Sequence, residues 1–134
     1  MLIERSGLTK WLKRWLPALV IMIIIFVISG TPSARIPNLG LMDTLYKKIG
    51  HMTGYFLLHL AFKRGLSSLQ SRGIWVALGL SLIYAISDEL HQLFIPGRNA
   101  SMIDVCIDVS GAVLGLILYG RWGWLERIVD FSGL

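Results

Sequence analysis

Four apolar stretches, each near the ~20 residues that a helix needs to cross the ~30 Å hydrocarbon core of a bilayer, constrain this chain more than any other feature. They run from Trp15 to Ser29, Leu45 to Phe62, Gly73 to Ile95 and Met102 to Tyr119. The segments between them, GTPSARIPNLG, KRGLSSLQSR and PGRNA, carry the Gly, Pro, Ser and Asn that interrupt helices. A backbone in hydrocarbon must satisfy its own N–H and C=O groups, so segments of this kind are helical. The expected fold class is all-α: one integral membrane domain over residues 1–134, a bundle of four transmembrane helices. A mean hydropathy of +0.65 is too apolar for a soluble domain of this size. The second stretch is the weakest of the four. It is apolar only from Ile49 to Phe62, so Lys47 and Lys48 must reach back to the interface.

The first stretch also has features of a secretory signal, because Lys10, Lys13 and Arg14 precede its apolar core and Pro32-Ser33-Ala34 resembles a cleavage site. Pro32 stands where a small residue is needed for cleavage at Ala34, so an uncleaved span is the expectation. Orientation follows from the basic residues of the short loops. With the N-terminus inside, Arg5, Lys10, Lys13, Arg14, Lys63, Arg64, Arg72, Arg121 and Arg127 are cytoplasmic, and only Arg35, Lys47, Lys48 and Arg98 lie outside. This bias predicts an N-in, C-in protein of the cell membrane. Trp11, Trp15, Trp75, Trp122 and Trp124 then fall at inner span ends, where amphipathic rings prefer to sit. The net charge of +5 reads as this topology signal plus attraction to anionic headgroups, with no nucleic-acid role implied. Cys106 lacks a partner cysteine in the chain and reads as a small buried hydrophobe.

The same topology gathers polar residues from three spans at the outer level. Asp88, Glu89, His91 and Gln92 lie in the last turns of the third span, Asp104 and Asp108 in the first turns of the fourth, and Lys48, His51 and Tyr55 near the start of the second. At ~1.5 Å rise per residue, all lie within roughly 10 to 15 Å of the interface. His51 and Tyr55, Asp88 and Gln92, and Asp104 and Asp108 are each spaced i,i+4, which puts each pair on one helix face. Gly111 and Gly115 continue the stripe of Asp104 and Asp108, so the carboxylate face is also a close-packing face. Glu89 points ~100° from Asp88, and both face the bundle only if that helix is covered on two sides.

These residues carry a resemblance to a known family. KKIGHMTGYFLL, SDELHQLFIPGR and DVCIDVSGAVLG, between about Lys48 and Gly115, resemble the VanZ-like membrane proteins, a family named for a teicoplanin (glycopeptide) resistance protein. Lys48, His51, Tyr55, Asp88, Glu89, Gln92, Phe94, Pro96, Gly97, Arg98, Asp104, Asp108, Gly111 and Gly115 fill the family's pattern in order. Position 108 departs from many members by carrying Asp in place of Asn. The resemblance implies an integral protein of the cell envelope with a link to glycopeptide tolerance, and it names no reaction.

Each feature has a plainer alternative. Asp104 and Ser101 suit the N-terminal cap of the fourth helix, where negative charge meets the positive end of the dipole. His51 reads also as an interfacial histidine, His59 as a helix-to-helix hydrogen bonder and His91 as peripheral; Arg98 anchors a loop, pairs with the acids or contacts a phosphate. Asp88 and Asp108 lie deeper, where an idle carboxylate carries an insertion penalty of ~2.5 to 3.5 kcal/mol. The acids outnumber Lys48, Arg98 and His51, so a proton, a divalent cation or a cationic substrate has to balance them. No HExxH or GxSxG pattern is present, and Ser87 and Ser110 are weak nucleophile candidates. The expected arrangement is an extracytoplasmic cleft acting on or binding an amphiphilic envelope component such as a polyprenyl-linked cell-wall precursor. In it His51, Asp88, Glu89 and Asp104 are the candidate catalytic groups, and Lys48, Tyr55, Gln92, Arg98 and Asp108 the candidate substrate contacts. A carboxylate pair working as acid and base, or a metal gripping a pyrophosphate, suits an enzyme. The alternative is a non-catalytic membrane scaffold or lipid-headgroup binding protein. An ion pathway ranks last, since only His59 and Tyr84 approach mid-depth.

Overall fold

The computed structural model describes residues 2–32, 40–121 and 127. Among the described residues four helices follow in order: α1 (Leu2–Ser29), α2 (Leu41–Gly65), α3 (Arg72–Gln92) and α4 (Met102–Arg121), with a 3₁₀ turn at Ser67–Leu69 between α2 and α3. No strand occurs among the described residues. Arg35, the Ala34 cleavage position, Trp122 and Trp124 lie outside them.

Three helix bounds differ from expectation for physical reasons. α1 begins at Leu2 rather than Trp15 and passes through Pro17; its polar first half is rich in Leu, Lys and Arg, good helix formers that a hydropathy reading passes over. α2 continues to Gly65, so Lys63 and Arg64 belong to its last turn and not to a loop. There a positive charge meets the negative end of the helix dipole, and Lys63 is buried with its ammonium 5.0 Å from the Tyr119 ring centroid. α3 stops at Gln92 rather than Ile95. Pro96 disfavours helical geometry at Ile95, and Gly97 turns the chain at φ 77°, a conformation that suits glycine.

α1 over Gly7–Ser29, α3 and α4 are long and apolar enough to cross a membrane by length and composition. α2 falls outside that group because of Lys47, Lys48, His51, His59 and Lys63 along its length. Those polar positions are compatible with a central place: α2 packs against α1, α3 and α4 and buries Tyr55, Leu58, His59, Ala61 and Phe62. The outside of the bundle is apolar instead, with Ile23, Ile24 and Val27 of α1, Ile83 of α3 and Ile103 and Ile117 of α4 exposed.

Helices consecutive in sequence run antiparallel, so α1 runs parallel to α3 and α2 parallel to α4. Tyr84 of α3 donates to the Met22 carbonyl of α1 at 2.7 Å, and the end of α1 meets the end of α3 beside the starts of α2 and α4. At the α2–α4 seam, a Cβ on Gly111 would overlap the Met52 carbonyl oxygen, and one on Gly115 would lie 2.9 Å from the His59 ring. The glycine stripe expected from the sequence is thus a backbone-to-backbone contact.

Candidate functional site

The last turn of α3 sets the site. Asp88, Glu89 and Gln92 are all buried, although Asp88 and Glu89 point in different directions from the helix axis. Two neighbours make this work. Ser29 at the end of α1 donates to Asp88 Oδ2 at 2.8 Å, while the Ser101 N–H at the start of α4 donates to Glu89 Oε2 at 2.8 Å. Gln92, one turn on, joins them by donating through Nε2 to Asp88 Oδ2 and to Glu89 Oε1, each at 3.3 Å.

Arg98 closes the same corner from the turn that follows. Its guanidinium donates to the Ile28 and Thr31 carbonyls at 3.3 Å and to Gln92 Oε1 at 3.5 Å. The ion pair with the acids considered from sequence is not found among the described residues: Arg98 caps the carbonyl end of α1, a favourable place for a cation.

α4 carries two acids at two depths. Ser101 caps its start by accepting the Ile103 N–H at 3.2 Å. Asp104 pairs with Lys48 at 2.5 Å, both side chains more than a third exposed, and so lies at the mouth. Asp108, one turn deeper, is 1% exposed, with Oδ1 3.4 Å from His51 Nδ1. One turn below His51 on the same face of α2, Tyr55 is fully buried and its hydroxyl has no hydrogen-bond partner.

A cavity of about 140 Å³ opens among these groups, lined by Lys48, His51, Glu89, Gln92, Arg98, Asp104 and Asp108. Thr44, Lys47 and Ile107 complete its wall. Seven of the nine residues singled out from the sequence therefore share one cavity; Asp88 and Tyr55 are not among its lining residues. Asp88 is nevertheless tied to the group, because ligand atoms of His51, Asp88 and Asp108 lie within 4.8 Å of one another. On the other side of Glu89 runs an apolar groove of about 220 Å³ between α3 and α4, walled by Ile86, Leu90, Ala100, Met102 and Val105.

Two participants escaped the sequence reading. Ser29 is the hydrogen-bond donor to Asp88, and His91, read as peripheral, stacks on Phe26 at 4.2 Å between centroids and so fastens α3 to α1. The signal for Ser29 was available: it ends an apolar run at the depth of Asp88.

Comparison with protein families decides the relationship. The VanZ/LLP1 family model matches residues 14–123, a range that takes in most of α1 as well as the segments from Lys48 onward. The chain belongs to the VanZ/LLP1 family. No curated protein and no solved structure matches it significantly. This VanZ/LLP1 member is a membrane protein with apolar helices, and the family match extends beyond the motif-bearing helices to α1, whose Ser29 completes the setting of Asp88.

Proposed function

We propose that this VanZ/LLP1 protein spans the membrane four times with both termini inside, and that its cleft holds the headgroup of an amphiphilic envelope component on the extracytoplasmic side. The observation that carries the reading is Glu89, which forms a wall of both the polar cavity and the apolar groove. A headgroup and a hydrocarbon chain need two such compartments side by side. Lys47, Lys48 and Arg98 in the cavity wall suit a phosphate or pyrophosphate, and Leu90, Met102 and Val105 suit an isoprenoid chain. A polyprenyl-linked cell-wall precursor has this make-up, and capture of such a lipid is the route by which the protein would influence glycopeptide tolerance. The central packing of α2 supports its crossing the bilayer with the other three helices, and the basic residues at the opposite end of the bundle support the orientation.

Binding without turnover is favoured over chemistry at Glu89 itself, since both of its oxygens are engaged, by the Ser101 N–H and by Gln92. The test is binding of a fluorescent polyprenyl pyrophosphate to the protein in nanodiscs. Lys48→Ala and Met102→Trp should each weaken binding, the first through the headgroup and the second through the chain. Equal affinity for a neutral polyprenol, or no binding at all, would remove this function.

A further inference from the structure

We infer that His51, Asp88 and Asp108 form a binding site for one divalent transition cation, of the Zn²⁺ or Mn²⁺ class. Three helices each contribute one ligand atom, and the atoms lie within 4.8 Å of one another. Ligands held ~2.1 Å from one tetrahedral ion stand about 3.4 Å apart. His51 Nδ1 and Asp108 Oδ1 are separated by 3.4 Å, which is longer than a good hydrogen bond of about 2.7 to 3.2 Å and right for two ligands of one metal.

Two of the same residues also carry unsatisfied buried atoms. Asp88 is 3% exposed and Asp108 1% exposed, yet Asp88 Oδ1 and Asp108 Oδ2 have no hydrogen-bond partner. A buried carboxylate oxygen left alone is costly. Ser29 and Gln92 occupy the other oxygen of Asp88, fixing the carboxylate plane as outer partners of a metal ligand do. The fully buried, unpartnered hydroxyl of Tyr55 sits one turn below His51.

Charge leads to the same conclusion. Lys48 is engaged by Asp104, and Arg98 by carbonyls and Gln92. A neutral imidazole and two carboxylates then balance a 2+ ion, and the imidazole selects a transition metal over Ca²⁺ or Mg²⁺, which prefer all-oxygen sites. His51 and Asp108 also line the cavity, so a fourth coordination position would face it.

This site stands independently of the proposed lipid, and its test uses none. The protein is purified in detergent, stripped with a chelator and titrated with Zn²⁺ and Mn²⁺ separately, with metal content, unfolding temperature and Mn²⁺ electron spin-echo spectra as readouts. We expect one ion per chain, a raised unfolding temperature and a nitrogen coupling from His51. His51→Ala, Asp88→Asn and Asp108→Asn should each weaken uptake by at least about tenfold, while Ser110→Ala, an exposed site on α4, should leave it unchanged. Absence of a stoichiometric site, uptake that survives all three substitutions, or a Mn²⁺ spectrum without nitrogen coupling would overturn the assignment. The spectrum is read on the unaltered chain, so a variant that fails to fold leaves the test intact.

Discussion

Ser29 Oγ donates a 2.8 Å hydrogen bond to Asp88 Oδ2 across the α1–α3 contact, with 59 residues between them in sequence and both side chains buried. The bond holds a carboxylate inside an otherwise apolar corner. Ser29→Ala should lower stability by about 1–3 kcal/mol, the cost of a buried acceptor losing a donor. Thermal unfolding in detergent reads this loss, and an unchanged midpoint would mean that Gln92 alone supports Asp88.

The α2–α4 seam predicts a contrast between two glycines of one helix. Gly111→Ala drives a methyl group into the Met52 carbonyl oxygen, backbone that cannot rotate aside, and should lower stability by about 1–3 kcal/mol. Gly120→Ala meets no atom within 4 Å and should be silent. Equal effects of the two in detergent unfolding would show that the seam is looser than described.

The proposed orientation makes a labelling prediction. In a Cys106→Ser background, needed because the native cysteine lies exposed on α4 and not buried as the sequence suggests, Asn99→Cys should react with an impermeant maleimide on intact cells. Ser68→Cys should react only after permeabilisation. The reverse pattern would put the cavity on the inner face.

Carboxylate chemistry and scaffolding predict different mutational orders. If Asp88 works through its charge, Asp88→Asn should abolish complementation of a deletion strain with membrane abundance unchanged, because the amide keeps the shape and an acceptor for Ser29. Arg98→Ala should instead lower abundance, since it uncovers the Ile28 and Thr31 carbonyls at the end of α1. Immunoblots of membrane fractions beside complementation separate the two. An active Asp88→Asn with an inactive, fully abundant Arg98→Ala would reverse the roles.

Periodicity made the polar faces legible because i,i+4 spacing is a property of one helix: His51 with Tyr55, Asp88 with Gln92 and Asp104 with Asp108 needed no partner to be seen. Depth was harder. Asp104 and Asp108 share a face, yet one is paired with Lys48 at the mouth and the other is buried against His51, a difference set by how far α2 overlaps α4. Ser29 and His91 stayed hidden because their partners, Asp88 and Phe26, belong to other helices. The reach of α1 back to Leu2 was hidden for another reason, since hydropathy reports immersion in lipid and not helical hydrogen bonding.

The contact between Gly111 and Met52 also sets how the two banks of the cavity are built. Two helices whose backbones touch leave no room for a side chain between them, and the pairs Lys48–Asp104 and His51–Asp108 cross the same seam. The opposite bank is held differently, by side chains rather than by touching backbones: the end of α3, the turn at Gly97 and the groups of α1 that brace them. Arg98, whose guanidinium joins that turn to the carbonyl end of α1, ties these two elements together.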